Sequence, residues 1–308
     1  MKTKKKKTFN EVVHSRTFHD NLTGYLLIMP NLVGFTVFTL FGIIFSLTMA
    51  FTDWNIIKGY DVANWVGIKN FTDMVGDTYL NACIRNNLLL LLVIPVTLFL
   101  AMIIASVLNN LVYGKAGARA LYFLPYVTNI VAVATVWRAL FHNTQGPINM
   151  FIKAFGVAEE NLPGWLSSSD WALPAVMIVL LWMNIGYDIL MYSGAIANIP
   201  KELYEAAEMD GANTAQQFFN ITIPQIKPTT FLLMILGIIG SLQMWSFVQI
   251  ITKGGPGTAT YTIGLYIYKC SFLTHRDGYA CALSWFLTAI IMVVTAIRWK
   301  TESTFDAE

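Results

Sequence analysis

Charge is scarce in this chain of 308 residues. Only 12% are Asp, Glu, Lys or Arg, against 56% hydrophobic, and the mean hydropathy is +0.55. That balance excludes a salt-bridged soluble surface and the broad basic face that nucleic acid requires. Cysteine is nearly absent as well. Cys83, Cys270 and Cys281 show no C-x-x-C spacing, and His14, His19, His142 and His275 form no H-E-x-x-H or similar set. Neither a zinc centre nor a redox motif has its ligands. No G-x-x-x-x-G-K-[ST] occurs, which removes ATP hydrolysis by a phosphate loop, and Gly254 to Gly257 (G-G-P-G) reads as a turn rather than a phosphate cradle.

What the chain has instead is long runs without charge. None lies between Asp20 and Asp53, Arg85 and Lys115, Lys227 and Lys253, or Asp277 and Arg298. Each can hold the roughly 20 apolar residues that cross about 30 Å of hydrocarbon. Two further runs carry one charge apiece, Arg138 and Asp188. The expectation is an all-α integral membrane protein with six transmembrane helices near 25–51, 87–108, 121–141, 173–193, 228–250 and 279–298. These form one domain over 25–298, preceded by a basic segment 1–24 and followed by a tail 299–308.

Loops rich in Lys and Arg resist translocation, which sets the orientation. The leader M-K-T-K-K-K-K and the loop with Lys115 and Arg119 are basic without acidic residues. Placing both termini, that loop and the 195–227 loop in the cytoplasm puts 12 of the 20 basic residues inside. A cleaved signal fits less well, because the apolar stretch from Tyr25 to Phe51 exceeds the 7–15 residues of a signal core and no A-x-A site follows. The leader lysines read as a solvated tail touching anionic head groups. Cys83 and Cys270 both fall on the outer side, but sequence gives no distance between them, and free thiols are expected.

The 195–227 loop is polar and dense in helix signals. Asn198 and Pro200 suit a helix start, Glu202 and Glu205 put negative charge near its N-terminus, and Gly211 suits a left-handed stop. Asn213 with Gln216 has the form of a capping box, and Pro228 fits the first turn of the next span. The spacing predicts two short helices joined at a glycine bend and tethered to spans on both sides. Ala206 and Ala207 permit close approach by a partner, and Glu205 offers it a charge.

The pattern E-A-A, three residues, Gly, nine residues, Ile, one residue, branched aliphatic, Pro runs from Glu205 through Ala206, Ala207, Gly211 and Ile221 to Pro224. It resembles the signature loop of permease subunits of binding-protein-dependent ABC importers, with Ile223 where leucine is usual. The runs F-T-D-W at Phe51, V-G-I-K-N-F at Val66, L-P-Y-V-T-N-I-V-A-V-A-T-V-W-R-A-L-F at Leu124, G-G-P-G at Gly254 and G-Y-A-C-A-L-S at Gly278 are similar to the sugar branch of that family. The resemblance covers nearly the whole chain and implies the type I ABC importer permease fold in a bacterial cytoplasmic membrane. It also implies the partners: a second homologous permease subunit, two ABC ATPases that use ATP and Mg, and an extracytoplasmic sugar-binding protein. Glu205, Ala206, Ala207, Asp210, Gly211, Ile221 and Pro224 would then couple to the ATPase, and this chain would carry no catalytic residue, metal or cofactor.

Polar residues at membrane depth are candidates for the sugar pathway, because they are disfavoured unless they face a cavity or partner. Asp188 should point inward, since an aspartate at a helix centre costs roughly 2.5–3.5 kcal/mol on insertion scales. Asn184, Asp188 and Tyr192 recur every four residues, as do Ser241, Trp245 and Gln249 on the fifth span. Carboxylate and amide groups bind sugar hydroxyls, and an aromatic ring stacks on a pyranose face. The plainer reading is interhelical hydrogen bonding and interfacial tryptophan. Trp54, Trp65 and Trp165 read as interfacial anchors or docking surface, Arg138 as a snorkelling residue, and Gly237 with Gly240 as a close helix contact. An ion-coupled secondary carrier is the alternative, but one central carboxylate and no evident internal repeat suit it poorly.

Overall fold

The computed structural model describes residues 16–110 and 115–305. The leader lysines, His14 and the last three residues of the tail lie outside the described residues. Helix dominates, and among the described residues the only β-type pairings are isolated bridges, Thr52 with Trp65 and Asn55 with Gly59. Four helical segments are long and apolar enough to cross a membrane: Thr23–Met49, Thr78–Asn109, Ser169–Ala197 and Asp277–Ile297. Two bent pairs pass the same test together, Ala120–Val127 with Ile130–Leu140 at 100° and Thr214–Gln225 with Lys227–Leu242 at 67°.

The first segment comprises α1 (Arg16–Gly34), a π-helical stretch Phe35–Leu40, and α2 (Phe41–Met49). Only 6% of its most apolar window is buried against the rest of the chain, so its apolar surface is left for lipid or another subunit. After the short α3 (Lys69–Thr72) come α4 (Thr78–Leu91) and α5 (Val93–Asn110), nearly continuous. The sequence places the second span at 87–108, yet α4 starts nine residues earlier. Asp77 is the reason: its carboxylate accepts from the amides of Tyr79 and Leu80 and so caps the helix beyond the charge at Arg85.

The third span is broken rather than continuous. α6 (Lys115–Val127) contains Pro125 and ends at Thr128, and α7 (Ile130–Leu140) restarts at Asn129, whose side chain accepts from the amide of Val131. The connection that follows carries α8 (Pro147–Ala154), which sequence periodicity did not reveal. Here Trp165 corrects the expectation of an interfacial anchor: it is buried among Phe141 and Trp171 and donates to Asn149 Oδ1 at 2.7 Å.

The long α9 (Ser169–Ala197) is capped by Ser168 and outruns the expected 173–193 at both ends. Its Gly186 lies against α6, and a Cβ there would collide with the carbonyl oxygen of Tyr122, so this crossing tolerates no larger side chain. α10 (Lys201–Met209), α11 (Thr214–Gln217), a π-helical turn Phe218–Thr222 and α12 (Ile223–Gln225) lead to α13 (Lys227–Leu242), with Pro228 in its first turn. The fifth span was expected to run to 250, but α13 stops at Leu242 and a separate α14 (Ser246–Ile251) follows. α15 (Ile263–Phe272) and α16 (Asp277–Phe305) complete the chain.

Three buried clusters hold the bundle together. One joins α7, the first half of α9 and α14; another joins α4, α15 and α16; the last joins α5 to the second half of α9 and to Ile226 and Leu233. Cys83 and Cys270 sit buried in the second cluster as free thiols. Beside them Asp77 Oδ2 accepts from the hydroxyls of Tyr266 and Tyr279, both at 2.6 Å. Burial works against the Asp77 charge, but the two hydroxyls and two amides outweigh it and hold the carboxyl below its usual range.

Candidate functional site

Two regions carry the residues singled out by sequence. The first is the polar element α10–α12. Glu205, Ala206 and Ala207 lie in its first helix, with Glu205 and Ala206 exposed. Asp210 caps that helix and Gly211 follows at φ +82, a conformation that costs glycine little and other residues roughly 1 kcal/mol or more. The amide of Ala212 donates to the Ala207 carbonyl at 2.8 Å and that of Gly211 to the Glu208 carbonyl at 3.0 Å, which together form a Schellman stop. Asn213 and Gln216 then exchange both bonds of the capping box, at 2.9 and 2.8 Å. The expected glycine bend between two short helices is what the structure has.

The element is fastened on one side and open on the other. Tyr204, Phe218, Ile221 and Ile223 pack against the third buried cluster, the hydroxyls of Tyr204 and Thr222 bond at 2.9 Å, and Ile226 is fully buried. Outward it presents Glu205 together with Met209, which is 89% exposed, Phe219 and Pro224. Exposed apolar groups beside charge are the composition of an interaction surface rather than of a solvated turn.

The second region is a cavity of about 500 Å³ where the first and third buried clusters meet. Asn184, Asp188 and Ser241 line it, as do Tyr126 and Tyr187, whose rings stack at 4.8 Å. Gly237 approaches Ile94 closely, as the small-residue spacing anticipates, whereas Gly240 faces open space in the cavity wall. Tyr192 does not share in it. One turn beyond Asp188 it is wholly buried against α13 and donates to Thr230 Oγ1 at 3.1 Å, so it braces two helices.

Trp245 and Gln249 part from Ser241 because the helix stops between them. Trp245 has φ −142 and ψ −46, and the four-residue repeat breaks there. The interruption is held from outside: Asn87 Nδ2 donates to the Ser241 carbonyl at 3.2 Å, and Thr262 Oγ1 donates to the Met244 carbonyl at 2.6 Å. Trp245 turns instead toward a second cavity of about 490 Å³ and stacks on Tyr268 of α15 at 4.7 Å, with Gln243, Ser271 and Ser284 nearby. Trp54 also lines that cavity, while Trp65 stays exposed and stacks on Phe51. Gln249 lines neither cavity, and its Oε1 is buried without a partner among the described residues. Sequence reasoning missed Tyr126, Tyr187 and Tyr268. Tyr187 adjoins Asp188 and was within reach, but Tyr268 sits on a helix of 10 residues that no span length suggests.

The family described as binding-protein-dependent transport system inner membrane component matches residues 79–298, from α4 to α16. The probable ABC transporter permease protein YesP of Bacillus subtilis is 33% identical over 92% of this chain and 91% of its own length. The lactose transport system permease protein LacF of Rhizobium radiobacter is 29% identical over 91% of this chain and 93% of its own. Among solved structures, a bacterial ABC transporter that imports the acidic polysaccharide alginate superposes with a TM-score of 0.82 at 22% identity. It covers 94% of this chain and 99% of that one, so the fold is shared throughout. The chain belongs to the family of binding-protein-dependent ABC transporter permeases and is a multi-pass membrane protein.

Proposed function

We propose that this chain is one of two permease subunits in an ATP-driven sugar importer of a bacterial cytoplasmic membrane. It crosses six times, each bent pair counting as one crossing, with both termini and the 195–227 loop in the cytoplasm. The α10–α12 element docks in a groove of a cytoplasmic ATPase, which supplies the ATP and Mg chemistry on a different chain. Closure of the ATPases pushes this element, and the push passes through buried Ile226 into α13 and the cavity wall at Gly237 and Ser241. The same wall and the Trp245–Tyr268 platform form this subunit's half of the sugar path, and a binding protein delivers the sugar from outside.

One observation carries the coupling reading: an element ordered by its own caps, locked to α13 on one side, and presenting Glu205, Met209 and Phe219 on the other. Support for sugar comes from relatives whose transport is of lactose and arabinooligosaccharides, and from the cavity's mixture of aromatic rings with amide, carboxyl and hydroxyl groups. Family membership leaves the ion-coupled carrier without an observation in its favour.

The test is Glu205→Lys and Gly211→Pro in the assembled complex. Proline cannot adopt the φ at 211 and removes the amide bonded to Glu208, so the stop opens. The expected outcome is loss of ATPase co-purification or of binding-protein-stimulated uptake, with the subunit still inserted. Full retention of both would reduce the element to a connector.

A further inference from the structure

Asp188 is 9% exposed, lines the cavity between α5, α9 and α13, and neither accepts a hydrogen bond nor forms an ion pair among the described residues. Among the described residues no Lys, Arg or His lines that cavity. The hydroxyl of Ser241, on a residue 8% exposed in the same wall, is also without a partner. The remaining polar groups there are neutral: Asn184, whose amide donates to the Leu180 carbonyl at 2.8 Å, the two tyrosines, Thr97 and Ser246. When ionised, a carboxylate with no counter-charge, in a cleft with apolar walls, projects its field into the cleft rather than into water. Clefts of one sign change local ion concentrations by roughly ten- to a thousand-fold.

We infer that Asp188 makes this cavity a charge filter: it passes uncharged and amino-bearing saccharides and rejects uronates, aldonates and sulfonated sugars. The inference rests on the reading of the cavity as part of the sugar path. A neutral saccharide brings hydroxyl donors that the carboxylate and the Ser241 hydroxyl lack, and an ammonium group brings the missing charge. An anionic sugar would place a second negative charge beside the first where little water screens them. Specificity would thus be set twice, once by the binding protein and once by the sign of this side chain.

The filter can be measured without knowing the sugar. Gly240→Cys places a thiol in the wall, at a position where an added side chain meets open space, and its labelling in the membrane-embedded complex is followed by peptide mass spectrometry. The probes are a trimethylammonium-bearing and a sulfonate-bearing methanethiosulfonate, each rate divided by that reagent's rate with free cysteine. With Asp188 present, the cationic reagent should react on the order of tenfold faster than the anionic one. Adding Asp188→Asn should bring the ratio to about one. Labelling by both reagents at equal corrected rates with Asp188 in place would overturn the filter and leave the wet pathway standing, because the carboxyl would be neutral or paired in the complex. Labelling by neither, where the unfolded protein labels fully, would overturn the pathway reading itself.

Discussion

The chain interrupts its helices at Gly211 and again at Gln243–Trp245, and the two breaks are satisfied in opposite ways. At Gly211 every bond comes from within a few residues: Ala212 to Ala207, Gly211 to Glu208, Asn213 with Gln216. At Gln243–Trp245 the carbonyls freed by the end of α13 are taken up by Asn87, from α4, and by Thr262, at the head of α15. Beside water a break needs only its own neighbours, and solvent covers what is left. Where freed carbonyls are buried inside the protein, as at Ser241 and Met244, they must be met by groups brought to them, here side chains of other elements.

If that contrast is right, it breaks first at Asn87. Its Oδ1 also accepts from the amide of Ile263 at 2.9 Å, so Asn87→Leu strands that buried donor and leaves the Ser241 carbonyl with only weak local backbone bonds, such as that from the Met244 amide at 3.4 Å. The expected loss is about 3 kcal/mol, seen as a lowered melting temperature of the detergent-solubilised complex. An unchanged melt would mean that other groups close the break. Thr262→Val comes next, at about 2 kcal/mol, since the hydroxyl both donates to Met244 and caps α15 through the amide of Leu265. The smallest effect belongs to the water-facing break. Asn213→Ala should cost about 1 kcal/mol, confined to faster hydrogen exchange at the Gln216 amide with the global melt unmoved. A global shift from Asn213→Ala as large as that from Asn87→Leu would erase the distinction.

The same contrast explains what could be read from sequence. The stop at Gly211, the box at Asn213 and Gln216, and Pro228 in the first turn of α13 are local chemistry, and all stand where spacing puts them. So do four of the apolar segments, apart from their ends, whereas the third is bent by 100° and the fifth stops at Leu242. Asn184 and Asp188 share a cavity because α9 is regular through them. The grouping of Ser241, Trp245 and Gln249 failed because periodicity assumes an unbroken helix, and the break depends on Asn87 more than 150 positions away. Tyr192 followed the correct face but met α13 one turn on, a contact that spacing within one helix does not encode. Trp165 was misplaced for a related reason: its partner Asn149 belongs to a helix without a span's length.

The self-sufficiency of the Gly211 stop bears on the economics of recognition. A loop that orders only when gripped must give up backbone freedom at that moment, and its affinity is lower by that amount. Here the turn is shaped by its own bonds, so in the proposed coupling role contact with Glu205, Met209 and Phe219 would be rigid-body docking, and the free energy of contact would be left for attachment and for moving α13. Force applied to that exposed face would then reach the rest of the bundle as displacement rather than being absorbed in folding the handle.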